Sequence, residues 1–136
     1  MKKLIENDGV DFVELKKKYP KLLNGSLLDY GCYSGWDKII KNALEQLQLI
    51  EDTNNEFYIS TIKEKFGMLN IYTYHASDAQ EEIIHMAEVN SLKVCEYCGE
   101  PGMIRDTTGW IKVRCNACEA LRQNEIKEFE RRIKNE

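Results

Sequence analysis

Apolar residues recur along this chain at two different periods, and the switches between them mark out most of its elements. Val10, Phe12, Val13 and Leu15 precede three consecutive lysines, and Pro20 follows Tyr19. The pattern predicts a short helix over 10–19 with one apolar face and a solvated basic end. Asn24-Gly25 and Gly31 then punctuate a loop. Trp36, Ile39, Ile40, Ala43, Leu44 and Leu47 fall three and four apart, which predicts an amphipathic helix. Ser34 begins it with Asp37 in capping-box position, and a polar turn over 52–55 ends it. Over 57–61 and 69–74 the period becomes two, with β-branched and aromatic residues alternating with polar ones. Lys63-Glu64-Lys65-Phe66-Gly67 lies between these runs, with Gly67 suited to the positive φ of a turn, so an antiparallel hairpin is expected. Ser77 with Gln80 forms a capping box for a third helix running to about Leu92, with Ile83, Ile84, Met86 and Ala87 on its buried side. From Asn116 onward the pattern is helical again, with Leu121, Ile126, Phe129 and Ile133 as sparse apolar positions among charges.

These elements predict an α+β fold in two parts. Residues 1–93 form helices packed on a small antiparallel β-hairpin sheet. Residues 94–136 form a cysteine-rich module with a C-terminal helix. The cysteine segment is too short to bury a self-sufficient core, so it is expected to depend on a metal more strongly than the first part does.

Composition narrows the function classes. The 136 residues suffice for one compact domain with a small appendage. Nineteen Lys and Arg against 23 Asp and Glu leave a formal charge of −4, which argues against a nucleic-acid coat or a polybasic membrane binder. With 43% hydrophobic and 31% charged residues the chain reads as globular rather than disordered. No apolar run approaches the roughly 18 residues of a membrane span. Glu6 and Asp8 interrupt the start before a signal-peptide core develops, so a cytoplasmic protein is expected.

Cys95, Cys98, Cys115 and Cys118 read C-x2-C-x16-C-x2-C, and Cys32 stands alone. An odd cysteine count fits a secreted disulfide framework poorly, whereas two C-x2-C pairs are the spacing of a zinc site. Each pair can curl round one ion, and Gly99 stands directly after Cys98 where such a knuckle needs a left-handed residue. Residues 103–105 and 110–114 can pair as a small hairpin across 106–109. Cys115 and Cys118 then open the last helix, whose N-terminal dipole favours thiolate. Knuckle, hairpin and helix-borne second pair form a treble-clef-like order. Four thiolates close the coordination shell of one Zn2+ and leave no position for water, so the metal is expected to be structural.

The competing chemistries lack their residues. A nuclease of the HNH type would need a histidine between the cysteine pairs, and residues 99–114 contain none. His75 falls at a strand end and His85 inside a helix, both reading as surface imidazoles. Glu81 and Glu82 are adjacent on a helix and so diverge. No phosphate-binding glycine loop or Ser-His-Asp order is present. The spacing also resembles the GATA type of DNA-binding finger, but Arg105, Lys112 and Arg114 are balanced by Glu96, Glu100 and Asp106. The charges of the last helix, Arg131-Arg132 included, are balanced too. Nucleic-acid or transcription-regulating binding is therefore the secondary expectation, with Lys112, Arg114 and Arg131 as its first suspects. Cys32 reads as a small buried residue rather than a reactive thiol. Trp110 reads either as a cover over the zinc knuckle or as an exposed interface anchor.

Several phrases in order resemble a family of small zinc-finger proteins of bacteriophage and bacterial genomes. They are Gly31-Cys32 through Gly35-Trp36, Lys63-Glu64-Lys65-Phe66-Gly67 with Leu69 and Tyr72, Ala87-Glu88 with Ser91, Cys95-Glu96-Tyr97-Cys98-Gly99 with Pro101-Gly102, and Gly109-Trp110. The resemblance spans about residues 29–120, and Met68 and Asn70 depart from it. It carries no assigned catalysis. What it implies, with the acidic balance, is a non-enzymatic phage-type protein that binds and inhibits a host protein in the bacterial cytoplasm. The most specific form of that expectation is an anti-CRISPR inhibitor of a Cas9-type nuclease.

Overall fold

The computed structural model describes residues 12–23, 29–50, 56–106 and 111–135. Val10, the Asn24-Gly25 pair, the 52–55 turn, most of the 106–109 turn and Trp110 lie outside them. Among the described residues the element order is α1 (Phe12–Lys18), β1 (Asp29–Gly31), a 3-10 turn (Ser34–Trp36), α2 (Asp37–Leu49), β2 (Tyr58–Lys65), β3 (Met68–Tyr74), α3 (Asp78–Ser91), β4 (Met103–Arg105), β5 (Lys112–Arg114) and α4 (Asn116–Lys134). The fold is α+β, as its two periods predict.

The main sheet has order β1-β2-β3 and is mixed rather than a hairpin alone. β2 and β3 pair antiparallel from Tyr58↔Tyr74 to Lys65↔Met68, with a bulge between Ile59 and Thr61. β1 joins β2 in parallel, placing Asp29 opposite Thr61 and Gly31 opposite Lys63. The strands also run further than alternation suggested. Lys63, Glu64 and Lys65 belong to β2, and only Phe66 and Gly67 turn the chain, with φ of 53° and 81°. Two successive positive φ values define the two-residue hairpin turn whose twist matches the strands. The Gly67 N–H donates to a Glu64 carboxylate oxygen at 2.8 Å, which ties the turn.

α2 and α3 cover one face of this sheet. The core between them holds Trp36, Ile40, Ala43, Leu44 and Leu47 against Ile59, Ile62, Leu69, Ile71, Ile84 and Ala87. Leu15 and Tyr19 at the end of α1 join it, and the Tyr19 hydroxyl donates to Glu45 at 2.6 Å. The Ser77–Gln80 capping box forms in full. The one expected at Ser34 does not: α2 begins after a 3-10 turn, and the Ser34 hydroxyl instead donates towards the Tyr97 carbonyl at 3.5 Å. Met86 is exposed, because α3 turns Ile84 and Ala87 inward and leaves Ile83 half-covered.

α3 has a second task at the edge of the sheet. The Leu69 N–H, on the side of β3 away from β2, donates to the Ser91 hydroxyl at 3.0 Å, and the Ile71 N–H donates to the Glu88 carboxylate at 3.0 Å. Edge strands present unpaired donors that invite foreign strands. Here two such donors are closed by side chains.

Candidate metal centre

The cysteine module is built in the predicted order. The Cys95 N–H donates to the Glu100 carbonyl and the Gly99 N–H to the Cys95 carbonyl, which curls the chain into a knuckle. Gly99 takes a φ of 84°, the left-handed geometry anticipated there. β4 and β5 pair as Met103↔Arg114, Ile104↔Val113 and Arg105↔Lys112 and carry the chain back to Cys115. Cys115 is the N-cap of α4 and its sulfur accepts the Cys118 N–H at 3.4 Å. Each pair of sulfurs is thus set by local backbone geometry, and the hairpin brings the two pairs together.

All four Sγ atoms lie within 4.8 Å of one another, and the Cys98 and Cys115 sulfurs are 3.5 Å apart. A tetrahedron of sulfurs about 2.3 Å from a central ion has edges of about 3.8 Å. The four cysteines can therefore hold one metal ion. Their acidities point the same way. At Cys115, burial is outweighed by the Cys118 N–H and the neighbouring thiols, so its pKa falls to about 7. At Cys118, burial and then Cys115 push the thiol up, and burial likewise raises Cys98. Four sulfurs this close cannot all ionise unaided, and a divalent cation supplies the charge that lets them.

Cys32 is not among the converging sulfurs. It is buried in the main core, and burial followed by the Glu96 charge drives its thiol far above the ordinary range. It is a small packed core residue, as expected from the sequence.

The three bases between the cysteine pairs all have partners within the protein, and Lys112 and Arg114 are buried. The Lys112 ammonium donates to Glu64 at 2.8 Å and lies 3.7 Å from Glu96, with all three side chains largely buried. Burial pushes the Glu96 carboxyl up to about 7, against the pull of Lys112. The Arg114 guanidinium pairs with Glu119 at 3.2 Å and reaches the Tyr97 hydroxyl at 3.4 Å. Arg105 donates to Asn116 at 2.7 Å. Two of the three suspected phosphate contacts, Lys112 and Arg114, are thus turned inward, while Arg131 is exposed on α4. Both histidines are exposed, and His75 stands 3.9 Å from the Glu56 carboxylate.

What sequence reading missed is the seam between the two parts of the chain. The Gly35 N–H donates to the Glu96 carbonyl at 2.7 Å, and the indole N–H of fully buried Trp36 donates to the Val94 carbonyl at 3.0 Å. A Cβ on Gly35 would lie 2.1 Å from the Cys95 oxygen. Gly67 at the hairpin turn packs against Ile111, and the rings of Tyr33 and Tyr97 sit 4.4 Å apart. The glycines in the sequence phrases were the available signal, since a glycine without a turn to make marks a close backbone approach.

No helix among the described residues is long and apolar enough to cross a membrane. Compared with family models, curated proteins and solved structures, the chain matches none.

Proposed function

We propose that the chain is a non-enzymatic binding protein whose fold is stapled by one structural Zn2+ on Cys95, Cys98, Cys115 and Cys118. The observation that carries this reading is the convergence of four thiols, carried on two backbone-defined C-x2-C turns, into a shell with no fifth donor among the described residues. A closed tetrathiolate leaves no position for substrate or activated water, so the metal contributes folding energy rather than chemistry. The partner in this reading is a host protein, and a Cas9-type nuclease is its most specific form. The resemblance to phage zinc-finger proteins and the −4 charge support that target, since an acidic protein can approach a basic nucleic-acid channel with electrostatic help.

Two measurements test it. Elemental analysis should find one zinc per chain, and Co2+ substitution should give the spectrum of a tetrahedral thiolate site. Titration of the zinc-loaded protein into Cas9-type cleavage reactions should slow cleavage. Complete cleavage at large molar excess across several such nucleases removes the nuclease target and leaves the zinc-stapled binding protein.

A further inference from the structure

The sheet has two faces, and among the described residues helices cover only one. Because side chains alternate across a strand, the cross-strand pairs Tyr58↔Tyr74, Thr61↔Tyr72 and Lys63↔Asn70 all point away from α2 and α3. On this outer face Tyr58 and Tyr74 stack with ring centroids 5.0 Å apart. The Lys63 ammonium lies 5.9 Å from the Tyr72 ring centre, and the Lys65 ammonium 5.8 Å from that of Phe66. Tyr72 is 40% exposed, Tyr74 51% and Phe66 71%.

Phe66 makes the row harder to read as ordinary surface. It sits at φ 53° in a turn whose first position favours Asn, Asp or Gly. A bulky aromatic in the left-handed region is strained, and this one buries little in return. The hairpin keeps a ring on display where its own stability favours a small polar residue.

We infer that the outer face of the β1-β2-β3 sheet, through Tyr58, Lys63, Lys65, Phe66, Tyr72 and Tyr74, binds single-stranded nucleic acid. Bases stack on exposed aromatic rings whatever their identity, and lysines between the rings neutralise the phosphates joining them. The charge suits that occupant locally. Lys63 stands opposite Gly31 and Asn70 and Lys65 opposite Met68, so neither lysine has an acidic cross-strand partner. Asp29 pairs with Thr61, Glu56 lies beside His75 at the far end, and Asp78, Glu81 and Glu82 stand on α3, behind the sheet. Duplex fits less well, because its bases present no free faces. The surface is distinct from the cysteine module, where Arg105, Lys112 and Arg114 are paired within the protein, and the inference does not depend on the protein-partner reading.

The test uses the full zinc-loaded chain and fluorescein-labelled 12-mers of oligo(U) RNA and oligo(dT) DNA, read by anisotropy over a series of salt concentrations. Single strands should bind more tightly than a duplex of equal length. With two lysines engaged, log affinity should fall with log salt at a slope of about −1.4. Tyr72→Ala and Tyr74→Ala should each weaken binding between about fivefold and a hundredfold, while Tyr72→Phe should preserve it. Lys63→Ala with Lys65→Ala should flatten the salt slope. Phe66→Asn is the discriminating variant: it should raise hairpin stability and yet weaken oligonucleotide binding. The inference is overturned if neither oligonucleotide binds, or if Tyr72→Ala, Tyr74→Ala and Phe66→Asn leave affinity unchanged. It is equally overturned if these variants alter only self-association or capture of a protein. Zinc content, measured on every variant, separates failure here from failure of the metal assignment.

Discussion

Substituting Gly35 by alanine adds one methyl group at the tightest point of the molecule. Its Cβ would stand 2.1 Å from the Cys95 oxygen, 2.3 Å from the Glu96 oxygen and 2.4 Å from the Glu96 carbonyl carbon. All three are backbone atoms, so no rotamer change relieves the overlap and the two chain segments must separate. Separation strains or breaks the Gly35–Glu96 and Trp36–Val94 hydrogen bonds, at 2.7 and 3.0 Å. Overpacking costs about 1–3 kcal/mol and each hydrogen bond about 1 kcal/mol, so Gly35→Ala should destabilise the protein by about 3–5 kcal/mol. Cys95 lies on the displaced segment, so zinc affinity should fall although every ligand is intact. Gly31→Ala is the control, since its Cβ would meet only Lys63 Cβ at an ordinary 3.5 Å. Denaturant unfolding of the three zinc-loaded proteins, with competition against a chromophoric chelator, reads both quantities. Equal midpoints and equal zinc affinities for Gly35→Ala and Gly31→Ala would refute the seam as described.

Other substitutions probe the parts separately. Cys98→Ser should lose most of the metal and Cys32→Ser should retain it, as elemental analysis will show. Lys112→Met strands the Glu64 and Glu96 carboxylates in a largely buried site and should cost about 3–5 kcal/mol in denaturant unfolding, part of which Glu96→Gln in the same chain should restore. Ser91→Ala leaves the Leu69 N–H without its acceptor and should cost about 1–3 kcal/mol, whereas Glu88→Gln, which keeps an acceptor for Ile71, should change stability little. Chelation should reduce hydrogen-exchange protection at Gly35 and at the start of α2, not only within the cysteine module.

Wherever local chemistry decides structure, the elements were legible in the sequence. The 3.6-residue stripes of α2 and α3, the Ser77 capping box, and the left-handed glycines 67 and 99 all depend on residues within one or two turns of each other. β1 was hidden because three residues carry no usable period and its parallel partner lies some thirty residues away. The charged end of β2 read as a turn for a related reason. Lys63 and Lys65 face outward, but Glu64 faces inward to Lys112, 48 positions later, and no local pattern reveals that partner. Met86 was placed inside because helical spacing alone does not say where the apolar arc ends.

The four cysteines were the most legible part of the candidate site, because metal spacing is a local code. The setting of that site was not legible, and it changes what the spacing means. A C-x2-C pair beside a hairpin reads as a module that could stand on any protein. In this fold Gly35 and Trp36 bond to the knuckle backbone, Gly67 packs on Ile111, Glu64 neutralises Lys112, and Gly102 would bring a Cβ to 2.9 Å from the Cys95 nitrogen. The phrases that carry the resemblance therefore supply the seam residues of both parts, which meet beside the four cysteines. Such phrases specify an architecture rather than a reaction. The proposed binding surface draws on the same phrases, since Lys63, Lys65, Phe66 and Tyr72 lie along the outer side of the main sheet, which neither packed helix covers.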